Sequence, residues 1–531
     1  MDIPSLFMIP SAVSSGKVHS VFPNSTDADF DFNRDSDATR VNSEGLIERV
    51  GYYGSELVTN GDFSNGSTGW GLGSNWSVSG GKASCDGSAS NSMSQATVLG
   101  IASTTFKITY NVLSISQGSL RITLGGVSGA SRSEIGTYTD FITASSTDRL
   151  RIFADSNAIA SIDNIVVNQV TGDRARLNYE IEGGLVNTKP SLLLEPQSTN
   201  IFLNSNNLSQ WLIGAGLTVT TNLVTSPDGT KNADQIKKTS ENYTYIRQSL
   251  TTGSVSVFSI FVKQGNYRYI GIRNNDSGHS VFDFETKTFV TSKADHNLSF
   301  KELPNGWFRL IDKRTISTNT SAFRGVALTL ADGTELHSHI PLNAFAYVWG
   351  GQLENAATYS TSLIPTNGST QTRAAETCNG AGTSSILPSE EGILYAEIAS
   401  LTTEGAGATR LSINDGSQDN NVTIGYSASN TVRIIIRSSS SNQALITSTQ
   451  TITDFLKIAV KYKANDFALY INGSLIGTDT SGSAPSGMND VSFDKGDGTL
   501  DWYGKIRDIR VYNTKEMTDS EVDILLTKIT S

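Results

Sequence analysis

Alternation of apolar and polar residues with period two recurs along most of the chain and restricts its fold more than any other feature. Phe106, Ile108, Tyr110 and Val112 point one way with Lys107, Thr109 and Asn111 between them, and Leu120, Ile122 and Leu124 repeat the pattern. Successive side chains of a strand face opposite sides, so such runs bury one face and wet the other. Phe467, Leu469 and Ile471 alternate into Asn472-Gly473, and Ser474-Leu475-Ile476 follows. Asn-Gly between two strand-like runs marks a hairpin, because both turn positions need positive φ. The helical period is nearly absent. One helix is expected, opening on a capping box of Thr518 and Glu521 and continuing through Val522, Ile524, Leu525 and Leu526. The pattern predicts an all-β chain: several antiparallel β-sandwich (jelly-roll) domains in tandem, with a short C-terminal helix.

At 531 residues the chain is too long for one core, and domains of about 100–200 residues imply three or four. Composition shifts divide it into an N-terminal arm or small β unit (1–54), a first sandwich (55–170), a connecting β segment (171–200), a second sandwich (201–376), a Gly/Ser/Thr linker (377–386) and a third sandwich (387–531). Ala38-Thr39-Arg40-Val41-Asn42 is weakly echoed by Ala175-Arg176-Leu177-Asn178.

Charged residues make up only 17% of the chain and the formal net charge is −11. Nucleic acid is therefore not an expected partner, since phosphate neutralisation needs a basic stripe, and there is no electrostatic route to anionic membranes. No apolar run approaches the length of a membrane span, and the apolar start from Ile3 to Pro10 lacks a basic region and holds two prolines. Cys85 and Cys378 fall in different predicted domains and are read as two isolated thiols.

Catalytic patterns are missing. Glycoside hydrolysis needs two carboxylates flanking the scissile bond. The pair Asp283-Phe284-Glu285 has a suitable first spacing but no third acid, and reads as a solvated strand face. His337 and His339 would share one face of a strand, which permits a metal pair, yet no further Cys or His lies near them in sequence. Nucleophile-elbow, phosphate-loop and dinucleotide-binding motifs are not found. Two acidic clusters, Asp415, Asp419 and Asn420, and Asp494, Asp497 and Asp501, read as solvated turns. No enzyme is expected.

Binding chemistry is the better expectation. Sugars offer apolar ring faces and hydroxyl edges, which suit aromatic platforms flanked by amides and carboxylates. The candidates are Trp70 and Trp76 in the first sandwich and Trp502 with Tyr503 in the third, with a core position the competing reading for Trp70 and for Trp502 with Tyr503, whereas Trp307 and Trp349 read as packing residues.

Three resemblances extend this reading. Leu57-Val58-Thr59-Asn60-Gly61-Asp62-Phe63 with Gly69-Trp70, followed about 100 residues later by Ile162-Asp163-Asn164-Ile165-Val166-Val167, resembles carbohydrate-binding jelly rolls of the family 4/9/22 type. That resemblance implies a structural Ca²⁺, to be sought at Glu56, Asp62 and Asp163, and no other cofactor. Phe32-Asn33-Arg34 through Val41-Asn42, Pro190 through Asn200, Asn305-Gly306-Trp307-Phe308-Arg309, Trp349-Gly350-Gly351 and the run from Ile364 to Glu376 look like bacteriophage head-spike, head-fibre or tail-fibre virion proteins, with Asp35 and Asp37 standing where those proteins carry smaller residues. Leu469-Tyr470-Ile471-Asn472-Gly473 and Gly504 through Tyr512 resemble concanavalin A-like (laminin-G-like) domains. Together they imply a protein of the virion surface, released by host lysis, with other virion proteins and host surface glycans as partners and a homo-oligomeric assembly. The alternative is a receptor-binding tail fibre or tailspike that depolymerises polysaccharide.

Overall fold

A computed structural model describes the chain except residues 1, 2, 15, 103, 156, 172, 173, 275–277, 293–295, 316–319, 335, 336, 404–408 and 429, and except the side chains at 52, 273, 274, 278, 320–322, 337 and 428. The architecture is all-β, in antiparallel sheets, with one α-helix at the C-terminal end among the described residues. Among the described residues no helix is long and apolar enough to cross a membrane. The chain divides into two compact units, Gly51–Gly172 and Met1–Val50 joined with Asp173–Ser531.

The smaller unit packs a six-stranded sheet centred on Thr105–Gln117 and Ile159–Thr171 against a four-stranded sheet of Asn91–Leu99, Arg149–Ala154, Leu120–Leu124 and Val127–Ser128. Phe106, Ile108, Tyr110 and Val112 are fully buried and face Ile122, Leu150 and Ile152, as the alternation predicts. Strand Tyr52–Glu56 pairs with Ile159–Thr171, so residues 52–54 belong to this unit rather than to an N-terminal arm.

The larger unit holds two sandwiches. In one, a six-stranded sheet containing Val255–Gln264, Trp307–Thr315 and His296–Glu302 packs on a second six-stranded sheet through Phe258, Ile260, Phe282, Phe308 and Leu310. In the other, an eight-stranded sheet runs through Gly504–Asn513, Glu391–Ser400 and Leu456–Lys463, over a five-stranded sheet that ends in Thr409–Asn414 and Asp490–Ser492. Asn472 and Gly473 take φ of 47° and 80° in the turn expected of Asn-Gly. Helix Asp519–Thr530 opens on the full capping box of Thr518 and Glu521. Its residues Val522, Leu525 and Leu526 cover Tyr395, Ala459 and Tyr512, while Ile524 is exposed because three-to-four residue spacing turns it outward.

Segments expected as arm and connector supply strands to the eight-stranded sheet, and the expected linker supplies a strand to a separate four-stranded sheet. Leu6–Met8 and Leu185–Leu194 both pair with Gly504–Asn513, in registers Leu6↔Val511 and Leu192↔Ile506. Thr377–Asn379, expected in a linker, pairs with Phe30–Asn33. The echoed segments lie side by side, with the Val41 amide donating to Asn178 Oδ1 at 2.8 Å and Arg176 Nη1 donating to the Thr39 carbonyl at 3.1 Å.

Asp234, on strand Lys231–Lys238, is 1% exposed and accepts the Leu208 and Asn222 amides at 2.9 and 2.8 Å. Burial outweighs those bonds and pushes its pKa up to about 6. Between the ordinary carboxylate range and that value the folded state keeps a proton that the unfolded state releases, so stability falls as pH rises through this window. The loss is on the order of 3 kcal/mol. Calorimetric melting from about pH 4 to pH 7 is expected to show a flatter pH dependence for Asp234→Asn than for the parent chain.

Candidate functional site

A buried lattice of arginine and glutamate side chains sets the geometry around the site. Glu376 accepts Arg34 Nη1 and Arg176 Nε at 2.9 Å each on one oxygen, and Arg176 Nη2 and the Glu195 amide on the other. Glu195 in turn pairs with Arg176 at 2.8 Å and Arg373 at 2.9 Å and accepts the Ser362 amide and hydroxyl. All five charged side chains are at most 3% exposed. The paired guanidinium groups hold both carboxyls below the usual carboxylate range in spite of burial. Arg34, Glu195, Arg373 and Glu376 come from three of the phrases singled out in the sequence. Those phrases, far apart in sequence, therefore meet at one buried knot. Asp35 takes a left-handed turn at φ 52°, a conformation aspartate tolerates, and Asp37 pairs with Arg49.

The knot fixes the segments from Pro196 to Thr199 and from Asn355 to Thr361, which with Ser400 to Thr402 and Tyr503 line a groove of about 530 Å³. Two aromatic residues, Tyr359 and Tyr503, stand in it beside the amides of Gln197 and Asn355. Tyr503 is half-buried and donates to Asp501 at 3.2 Å, and burial pushes its pKa up, so it keeps its proton. The Tyr359 hydroxyl is buried with no hydrogen-bond partner. An aromatic surface flanked by amides and unused hydroxyls is the chemistry that binds sugar rings.

A second, acidic cleft of about 630 Å³ lies between the loops at 416–419 and 490–498, lined by Gln418, Asp419, Asp490, Asp494 and Asp497. Asp415 accepts Ser417 and Asn420 in a local turn, as expected of that cluster. Asp494 departs from the solvated-turn expectation, being 3% exposed and holding the Asn379 side chain at 2.9 Å. Burial raises its pKa.

Of the predicted platform residues only Tyr503 lines the groove. Trp70 and Trp76 are 7% and 6% exposed, lie in the core of the smaller unit, and donate to the Asn60 and Asn91 carbonyls at 3.0 and 3.3 Å. Trp502 is fully buried against Tyr426. These rings fill the interior and offer no face to a ligand. Trp307 and Trp349 pack with Phe261 as expected. The two phrases carrying Asp62 and Asp163 do meet, since the Ile165 amide donates to the Gly61 carbonyl at 3.0 Å. Yet Asp62 is taken up by Ser64, Asp163 by Asn164, and Glu56 is exposed on its strand. Among the described residues no group of three or more His, Cys, Asp or Glu is placed to hold a metal ion.

Asp283 is buried rather than solvated, because Arg268 grips both its oxygens at 2.9 and 2.7 Å and also reaches Glu285. His337 and His339 lie in a 3₁₀ turn, not on a strand face, and the His337 side chain is outside the described residues. Cys85 and Cys378 are free and buried. The groove itself escaped sequence reasoning, because its lining comes from four separated segments. The one signal available in the sequence was the adjacent aromatic pair Trp502-Tyr503.

No curated protein sequence matches the chain. Among solved structures, the CBM40 module of the Ruminococcus gnavus IT-sialidase bound to α2,3-sialyllactose is similar at 16% identity, over 28% of this chain and 92% of its own, with a TM-score of 0.23. The N-terminal CBM22-1–CBM22-2 tandem of Paenibacillus barcinonensis Xyn10C is similar at 12% identity, over 57% of this chain and 98% of its own, with a TM-score of 0.20. The family model of the concanavalin A-like lectin/glucanases superfamily matches residues 399–523, a span that includes Tyr503 of the groove and most of the acidic cleft. The C-terminal sandwich is thus similar to concanavalin A-like domains over residues 399–523.

Proposed function

We propose that this chain is a non-enzymatic adhesion protein of a bacteriophage particle that binds glycans through the groove at Tyr359 and Tyr503. The observation that carries glycan binding is the groove itself, two aromatics with flanking amides at the edge of a sandwich similar to concanavalin A-like domains. The assignment to a virion surface is supported by the virion-type phrases in their expected order, four of whose residues build the buried knot that positions the groove.

On a glycan array, the intact chain binds a restricted set of oligosaccharides, and Tyr503→Ala weakens that binding by about tenfold, the equivalent of ~1.4 kcal/mol. An array on which the parent chain binds nothing refutes the glycan reading. Immunogold labelling of purified phage particles with an antibody to residues 387–531 tests the virion reading. Label on the head identifies a capsid fibre or decoration protein, label at the tail identifies a receptor-binding fibre, and unlabelled particles refute it.

A further inference from the structure

We propose that the glycan held by the groove is acidic, and that its carboxylate or sulfate group enters an adjoining cavity between Lys301 and Arg309. This rests on the glycan-binding reading of the groove and adds the charge of the ligand to it. The cavity measures about 160 Å³ and shares Tyr359, Thr361 and Leu401 with the groove, so one ligand can reach both. That is well above the roughly 10–15 Å³ a single water needs.

Its charges do not balance. Glu180 is paired with Lys505, Glu195 with Arg176 and Arg373, Glu302 with Lys287, and Arg40 with Glu48. Among the described residues Lys301 and Arg309 are the lining cations left outside any ion pair. They are direct cross-strand partners, on His296–Glu302 and Trp307–Thr315. Like charges so placed repel each other, and one of them is buried. Arg309 is 9% exposed, and its visible contacts are the Ser259 hydroxyl at 2.9 Å and the Phe261 ring at 5.2 Å. Glu354 and Glu195 act on Arg309 through space but neither forms an ion pair with it, and a buried guanidinium without a contacting counter-ion is costly. Desolvation by the surrounding protein, with the Lys505 and Arg309 cations, lowers the Lys301 pKa in spite of the Glu180 and Glu195 carboxylates.

Donors complete the site. The hydroxyls of Tyr359 and Ser360 are buried in the cavity wall without hydrogen-bond partners. Burial keeps the Tyr359 phenol protonated and therefore able to donate. Two cations and two free hydroxyls converging on one small cavity suit an oxyanion with several acceptor oxygens.

The test is calorimetric titration of the full chain with three probes: a tetrasaccharide alternating glucuronate and N-acetylglucosamine, neutral cellotetraose, and sodium sulfate. The uronate probe is expected to bind at least tenfold more tightly than cellotetraose, with affinity falling as salt is added. Lys301→Gln, which removes the ammonium at a position outside any ion pair, is expected to remove at least tenfold of that affinity and none of the cellotetraose affinity. Ser360→Ala is expected to weaken the uronate probe alone, and Tyr503→Ala to weaken both oligosaccharides. Equal affinity for the two tetrasaccharides, or an unchanged Lys301→Gln, overturns the acidic-glycan assignment and leaves the groove standing. Binding of neither tetrasaccharide overturns the acidic-glycan assignment while the array decides the groove reading separately, and Lys301-dependent binding of sulfate would then make the cavity a site for a free inorganic oxyanion.

Discussion

Replacing Glu376 with Ala is expected to destabilise the larger unit by about 3–5 kcal/mol, the range found when one partner of a buried ion pair is removed. The reason is local and specific. Glu376 neutralises Arg34 and Arg176 together and accepts the Glu195 amide. Without it, three buried guanidinium groups would share the single carboxylate of Glu195, and Arg373 already has a buried Nε with no acceptor. Glu376→Gln keeps the shape but presents an amide NH₂ to a guanidinium, so it should lose most of the same stability. Guanidinium denaturation followed by hydrogen exchange on separate peptides would resolve the larger unit from Gly51–Gly172, which a single global transition would blur. A loss below about 1 kcal/mol in the larger unit would mean that the lattice is ornamental.

The same lattice has a pH signature opposite to that of Asp234. The carboxyls of Glu195 and Glu376 sit below their ordinary range because guanidinium groups surround them. Their contribution is therefore present above the unfolded-state value near 4.3 and is lost as pH falls through the lower folded-state values. Asp234 loses stability as pH rises and the lattice as it falls, and the two windows do not overlap.

Sequence pattern and structure agree where the physics is local. Alternation at Phe106–Val112, the Asn472-Gly473 turn and the Thr518 capping box each depend on neighbours within a few residues, and each appears as the pattern requires. They diverge where a residue's role depends on what lies across the fold. Trp70, Trp76 and Trp502 carry the residue type of a sugar platform, but sequence does not say which face of a strand looks inward, and all three look inward. Asp283 reads as a solvated acid until Arg268 is found against it. The Leu6–Met8 strand finds its partner some 500 positions away at Val511, a pairing no short-range rule reaches. The phrases around Arg34, Glu195 and Arg373 were legible as motifs, yet their structural role was not. Only the fold shows that Arg34, Glu195, Arg373 and Glu376 belong to one lattice.

Trp502 and Tyr503 are chain neighbours with opposite expected behaviour, and that contrast is the sharpest check on where the groove lies. Trp502 is fully exposed to the core and not at all to solvent, with its ring 4.9 Å from that of Tyr426 and its amide donating to the Phe493 carbonyl at 2.7 Å. Trp502→Ala is expected to cost about 3–5 kcal/mol through lost contacts and the cavity left behind. Trp502→Phe should cost less, because it keeps an aromatic ring against Tyr426 and removes an indole N–H that is buried without an acceptor. Tyr503→Ala, by contrast, removes a half-buried ring at the groove edge, so its loss in stability should stay near 1 kcal/mol while glycan affinity falls. Thermal melting paired with glycan titration of the three variants separates the two roles. Should Trp502→Phe retain stability but abolish binding, the sugar would have to reach the core side of this segment, and the groove at Tyr359 and Tyr503 would not be the binding site.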